Sequence, residues 1–167
     1  MVTDCRILPI AEENIPGFHA ALDVVAREGK YIAMLEAPPI ERVYAVVRDN
    51  IARNHPQFVV LHGDQVVGWC DIAPNRSRPI YAHSGVVGMG LLPEFRGQGL
   101  GRKLLEATIA AAFALGLTRI ELEVRQHNER AMALYKRLGF QLEGVHRNAV
   151  LHEGRYEDQY SMALLKE

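Results

Sequence analysis

Between Arg96 and Gly101 the chain reads Arg-Gly-Gln-Gly-Leu-Gly, and here residue types and spacing first suggest chemistry. Glycines at alternate positions let backbone N–H groups converge. The amphipathic stretch that follows supplies a helix N-terminus, whose free N–H groups and dipole favour an anion. The turn asks for a phosphate and leaves its owner unnamed. Two nucleotide motifs are excluded by spacing. A Walker loop requires Lys and then Ser or Thr after its last glycine, whereas Gly101 is followed by Arg102-Lys103-Leu104. A dinucleotide fingerprint, Gly-x-Gly-x-x-Gly, counted from Gly97, meets Arg102 at its final position. The seven histidines, His19, His55, His62, His83 and His127 among them, and the two cysteines, Cys5 and Cys70, show no metal-ligand spacing, so no metal site is expected.

The elements that must position this turn follow from periodicity. Ser84 to Leu92 is an apolar run interrupted by Gly85, Gly88 and Gly90, a strand in which glycines mark a bulge or a close approach by ligand or backbone. After Gly101, Leu104, Leu105, Ile109, Ala112 and Leu115 form one helical stripe that Gly116 stops. Thr118 to Val124 alternates, with Ile120, Leu122 and Val124 on one side and Glu121 and Glu123 on the other. Asn128 caps a helix carrying Ala131, Leu134, Tyr135 and Leu138 on one face and ending at Gly139. Upstream, Cys5–Ile10 reads as a strand, Glu12–Gly29 and Ile40–Asn54 as helices, and Tyr31–Pro39 as a packed loop. Gln57–Leu61 and Gln65–Ile72 read as a hairpin turning at His62-Gly63-Asp64. Downstream, Phe140–Val145 reads as a strand, and Ala149–His152 with Tyr156–Leu165 as a closing hairpin.

This order predicts an α/β domain: a mixed, mostly antiparallel central sheet of about seven strands flanked by about four helices, parallel around the central β-α-β unit. With 167 residues, 49% of them hydrophobic, a single domain over 1–167 is expected, with no repeat and no disordered linker. The formal charge of -1 gives no global attraction to nucleic acid or an anionic membrane. No apolar run is long enough to span a bilayer, the N-terminus lacks a signal-peptide layout, and the cysteine usage suits a reducing cytoplasm, so a cytoplasmic protein is expected.

Two blocks together carry a resemblance. Met89-Gly-Leu-Leu-Pro93 leading into the Arg-x-x-Gly-x-Gly spacing of Arg96, Gly99 and Gly101 is the first. Asn128-x-x-Ala131-x-x-Leu134-Tyr135-x-x-Leu138-Gly139-Phe140 is the second. In that order they resemble the GNAT superfamily of N-acetyltransferases, over roughly Ser84 to Val145. The tail from Glu143 to Asp158 and Met162 is similar, more loosely, to the ribosomal-protein and phosphinothricin acetyltransferase branch. The resemblance implies a single GNAT-type domain with a splayed central strand pair and an acetyl-CoA site. Its pyrophosphate would be held by backbone amides of Gly97, Gln98, Gly99, Leu100 and Gly101, with charge from Arg96 and Arg102. The backbone of Met89, Gly90 and Leu91 would take the pantetheine arm as an added strand, with an oxyanion donor near Leu91, and Asn128 would both cap its helix and reach the cofactor.

Catalytic roles also follow from the resemblance. Tyr135, which spacing alone reads equally well as a core aromatic, would protonate the departing thiolate. Glu123, otherwise a solvated strand carboxylate, would be the base for the attacking amine, with Glu121 or a water relay as substitutes. His83 and His127 flank the expected cleft, and Lys103 and Lys136 read as solvated helix charges. The implied reaction is direct acetyl transfer to a primary amine, a peptide N-terminus or a small molecule, in a ternary complex and often in a homodimer. A non-catalytic acyl-CoA-sensing or protein-interaction module on the same fold is the alternative. The acceptor pocket is expected from Tyr31–Pro39, the segment after Ile72 and the closing hairpin, with Glu36, Glu157 and Asp158 as attractors of a cation.

Overall fold

The computed structural model describes residues 4–167. Seven strands form one sheet, β1 (Cys5–Pro9), β2 (Gln57–His62), β3 (Gln65–Pro74), β4 (Ser84–Leu91), β5 (Arg119–Arg125), β6 (Gln141–His152) and β7 (Arg155–Leu165), in the order β1-β2-β3-β4-β5-β7-β6. Four helices accompany it, α1 (Ile15–Arg27), α2 (Ile40–Ala52), α3 (Leu100–Ala114) and α4 (Glu129–Arg137). No described helix is long and apolar enough to cross a membrane.

The helices cover both faces, as adjacent residues of β3 show. Consecutive strand side chains point to opposite faces. Trp69 meets Phe18 of α1 edge-on, with ring centroids 5.6 Å apart, while Cys70 lies against Thr108 of α3. Both layers are apolar: Ile15, Val25, Val47, Val59 and Val67 on one side of the fold's core and Leu104, Leu105, Ile120 and Met162 elsewhere in it are fully buried.

Differences from the expected elements are local and have identifiable causes. The first helix is a short 3-10 turn, Glu12–Asn14, before α1, whose second residue is Pro16, tolerated where an N–H has no helical partner. The second helix stops at Ala52, and Asn54 adopts φ 55° ahead of Pro56. Gly101 lies inside α3, because Gly99 at φ 82° is its N-cap. The stretches Phe140–Val145 and Ala149–His152 are one continuous β6 with register shifts at Leu142/Gly144 and His146/Val150. Asn148, at φ 52°, accommodates the second shift, its N–H donating to Asp158 Oδ1 at 2.8 Å.

One pairing defines the site. β4 and β5, the only parallel neighbours, pair solely as Ser84 with Arg119, Gly85 with Ile120 and Val86 with Glu121. Beyond Val86, β4 stays on β3 as far as Leu91, and β5 stays on β7 as far as Arg125. The two strands therefore part, and the sheet opens along its middle.

Candidate active site

The opening begins at the glycine turn. Arg96 N–H closes a bond to Pro93 C=O at 3.2 Å, after which Gly97 and Gly99 take φ 73° and 82°, a region costly for any residue with a β-carbon. That path leaves the N–H groups of Gly97, Gln98, Gly99, Leu100, Gly101 and Arg102 with no acceptor among the described residues, gathered at the positive end of α3. Six such donors in one turn suit a pyrophosphate.

The two arginines expected to supply charge at the turn, Arg96 and Arg102, are each paired with a carboxylate. Arg96 makes a two-pronged ion pair with Glu28, at 2.9 and 2.6 Å, gives its Nε to Leu91 C=O at 2.9 Å, and lies 4.8 Å over the Tyr31 ring. Its guanidinium holds the loop after α1 instead of turning toward the glycines. Arg102 pairs with Glu106 one helical turn on. Arg130 of α4, absent from the sequence reading, has its guanidinium 3.3 Å from where a β-carbon on Gly97 would sit, which makes it the arginine next to the turn. Its signal was available: it follows the capping Asn128 by two positions, in the first turn of α4.

Along β4 the alternation of strand backbones decides which groups face the opening. Leu92 N–H donates to Val67 C=O and Ser84 C=O accepts from Asn75, so residues 84, 86, 88, 90 and 92 turn their backbone groups to β3. Val87, Met89 and Leu91 turn theirs away from β3: the Val87 N–H closes the last β4–β5 bond, which the Val86–Glu121 pairing requires, and the groups beyond it face the opening, with Leu91 C=O already taken by Arg96. Gly90, expected among the ligand-pairing residues, faces β3. It is a glycine for a packing reason, since a β-carbon there would stand 2.4 Å from the Trp69 ring. The β3–β4 register runs without a bulge.

Tyr135 lines the opening from the α4 side. It is 8% exposed, its ring 5.8 Å from that of Phe140, and burial first, then nearby Cys70, pushes its hydroxyl well above the usual phenol range. Such a hydroxyl stays protonated, with a proton to donate and a lone pair that can accept. Met89 and Tyr135 line the same cleft.

Glu123 lines the opening from β5, and no ion pair engages it among the described residues. Glu121, on the same face, accepts from Arg119 at 3.1 Å, and Arg119 also holds Glu143, whose carboxyl it lowers. Asn128 Oδ1 accepts from Ala131 N–H at 3.3 Å, so its capping role is in place.

The cleft has a volume of about 760 Å³. Besides β4 and β5 it is walled by Tyr31, Ile32, Ala33 and Leu35 of the loop and by Ala149 to His152 of β6. Arg125 fixes that wall. Only 7% exposed, it donates to Gly29 C=O at 2.7 Å and to both oxygens of Glu157 at 2.9 Å. His127 adds a contact to Glu157 at 3.1 Å. Arg125 holds the Glu157 carboxyl below the usual carboxylate range, so Glu157 is a structural anion already matched by a cation. Asp158 is engaged by Asn148, and Glu36, highly exposed, lies 3.6 Å from Arg27. His83 and Lys103 do not line the cleft.

Comparison with known proteins follows the same lines. The sequence model of the acetyltransferase (GNAT) family matches residues 30–140. The chain is 33% identical over 119 residues to N-alpha-acetyltransferase RimI of Mycobacterium tuberculosis, covering 71% of this chain and 72% of that protein. It is 42% identical over 72 residues to the ribosomal protein bS18-alanine N-acetyltransferase of Salmonella typhimurium, 43% of this chain and 49% of that one. The chain spans about half or less of the length of most curated relatives it matches. In fold it is similar to the Salmonella typhimurium acetyltransferase yncA, solved with its cofactor acetyl-CoA, at a TM-score of 0.92 and 19% identity over 99% of this chain and 95% of that one.

Proposed function

The chain belongs to the acetyltransferase (GNAT) family, and we propose that it transfers the acetyl group of acetyl-CoA directly to a primary amine, a peptide N-terminus or a small molecule. The observation that carries this reading is the parting of β4 from β5 beside a turn of unsatisfied amides, which offers one ligand a phosphate cradle and a strand edge in continuity. Acetyl-CoA, when bound, supplies an activated thioester. The amides of residues 97–102, with Arg130 beside them, hold its phosphates. Val87, Met89 and Leu91 orient its arm. Asn128, beside this end of the cleft, completes its contacts.

Proton handling falls to side chains. The N–H of Met89, which lines the cleft with Tyr135, is the donor assigned to the oxygen that gains charge during transfer; Leu91, outside that lining, lies nearer the phosphates. Glu123 accepts the proton that the ammonium form of the acceptor must lose before attack. Tyr135 gives a proton to the departing sulfur. An acetyl-enzyme is disfavoured by the cysteines: Cys70 is buried, which pushes its thiol far above the range of a reactive nucleophile, and Cys5 lies on the edge strand β1. Both acceptor and donor therefore occupy the protein together. Free thiols suit a cytoplasmic setting, and the exposed β6 edge, with Leu142, Val145 and Leu151, suits a homodimer.

The test is release of free thiol from acetyl-CoA in the presence of amines. Tyr135→Phe is expected to lower turnover by about tenfold or more while leaving acetyl-CoA affinity, measured by calorimetry, as in wild type. An unchanged rate removes the acid role from Tyr135. Acetyl-CoA binding with no thiol release across a broad amine panel favours an acyl-CoA sensor on this fold.

A further inference from the structure

On β3, behind the β4 wall that faces Glu123, stands a carboxylate with no role in acetyl transfer so far. Asp71 pairs with Gly88 in the β3–β4 register, and its Oδ1 lies 3.2 Å from where a β-carbon on Gly88 would sit. Gly88 is part of the cleft wall and Asp71 stands just behind it on β3, with no side chain on Gly88 to fill the space between. Val86 pairs with Glu121, and two residues further along each strand Gly88 and Glu123 face each other over the opening, on the same side of the sheet. Asp71, Gly88 and Glu123 thus form one transverse row: carboxylate, gap, carboxylate. Two strand spacings and the splay put the β3 and β5 backbones about 10 Å or more apart.

No donor or cation among the described residues meets Asp71, and burial alone pushes its carboxyl up to about 7. The polar and charged groups of α1, α2 and the neighbouring strands are engaged with other partners. From β2, Gln57 is turned to Asn50 of α2. His19 and Asp23 of α1 are turned to Pro38 C=O and Ala37 N–H, and Arg27 to Asp23. Arg48 of α2 holds Glu12, β4 offers Val86, Gly88 and Gly90, and on β5 Glu121 holds Arg119. Asp71 is partly exposed and has no protein partner, so its carboxyl is open to a cation that enters beside Gly88.

We infer that Asp71 binds a second, persistently cationic amino group of the acceptor, so that the substrate is a diamine with its reacting nitrogen on the Glu123 side. The reacting nitrogen must be neutral when it attacks, so the charge held by Asp71 belongs to another group. The inference rests on amine acetylation in the β4–β5 cleft. It is tested with putrescine, n-butylamine, which is the same chain with one amino group, and trialanine amide, on wild type and Asp71→Asn. Wild type is expected to prefer putrescine over n-butylamine by about tenfold or more in kcat/KM, carried mainly by KM. Asp71→Asn is expected to abolish that preference while binding acetyl-CoA as wild type does, which also reports that it is folded. Equal use of the two small amines by wild type, a preference retained in Asp71→Asn, or turnover of trialanine amide alone overturns the diamine site and leaves acetylation standing. Acetyl-CoA binding with no thiol release from any of the three overturns the acetylation reading, and the diamine site falls with it.

Discussion

Glu121 and Glu123 share one face of β5 yet differ in what they touch. The first is held by Arg119, whereas the second meets the cleft with no cation on it. A carboxylate oxygen already accepting from a guanidinium is less available to a substrate amine than one open to the cleft. Glu123→Gln is therefore expected to remove the acidic limb of the kcat/KM profile, and Glu121→Gln to leave it in place. Identical profiles for Glu123→Gln and wild type would end the assignment. Tyr135 shows the limit of spacing at this scale: a core aromatic and an acid look alike in a helical stripe. Its place in the cleft lining distinguishes it from Leu134 and Leu138.

At the scale of elements, the exposed backbone of β4 makes a prediction that side-chain mutation cannot. The Met89 and Leu91 amides, beyond the last β4–β5 bond and turned to the opening, are expected to exchange with solvent deuterium quickly in the free protein and to slow by about tenfold or more when acetyl-CoA adds its arm to the strand. Gly88 and Gly90, bonded to β3, stay protected in both states. Uniform protection of all four in the free protein would remove the added-strand arrangement. The order of elements was legible in the sequence because long stripes such as Leu104 to Ala112 and the alternation of Ile120 to Val124 carry period directly. The partners of charged groups were not. Arg96 lies 68 residues from Glu28, and Arg125 lies 96 residues from Gly29, so no local pattern announces either contact. Asp71 is legible only as an interruption of Trp69-Cys70-Asp71-Ile72 by a carboxylate, and its meaning depends on Gly88 in the neighbouring strand.

For the whole molecule, the same carboxylate couples stability to pH. Asp71 has a folded value of about 7 against an ordinary 3.8. Below 3.8 both states hold the proton and no penalty exists. Between 3.8 and 7 the unfolded chain has released its proton and the folded one has not, so rising pH favours unfolding; above 7 the penalty is constant. At about 1.4 kcal/mol per unit, reduced by the solvent that still reaches the carboxyl, the loss amounts to roughly 2–4 kcal/mol. Denaturant unfolding of Asp71→Asn is expected to match wild type near pH 4 and to exceed it by that margin at pH 8. A gap that does not widen with pH would show that Asp71 ionises freely in the folded protein.

In the proposed scheme, donor recognition falls to main-chain groups, six amides of one turn and the open edge of one strand. Acceptor recognition falls there to side chains, from the loop at Tyr31, from β6, and from Asp71 and Glu123. A substitution exchanges a side chain but cannot delete a peptide group, so outside Gly97 and Gly99 few replacements remove the donor contacts. The two halves of the reaction consequently differ in how readily they change over evolutionary time: the choice of amine can drift one residue at a time while the use of a common acyl donor is preserved.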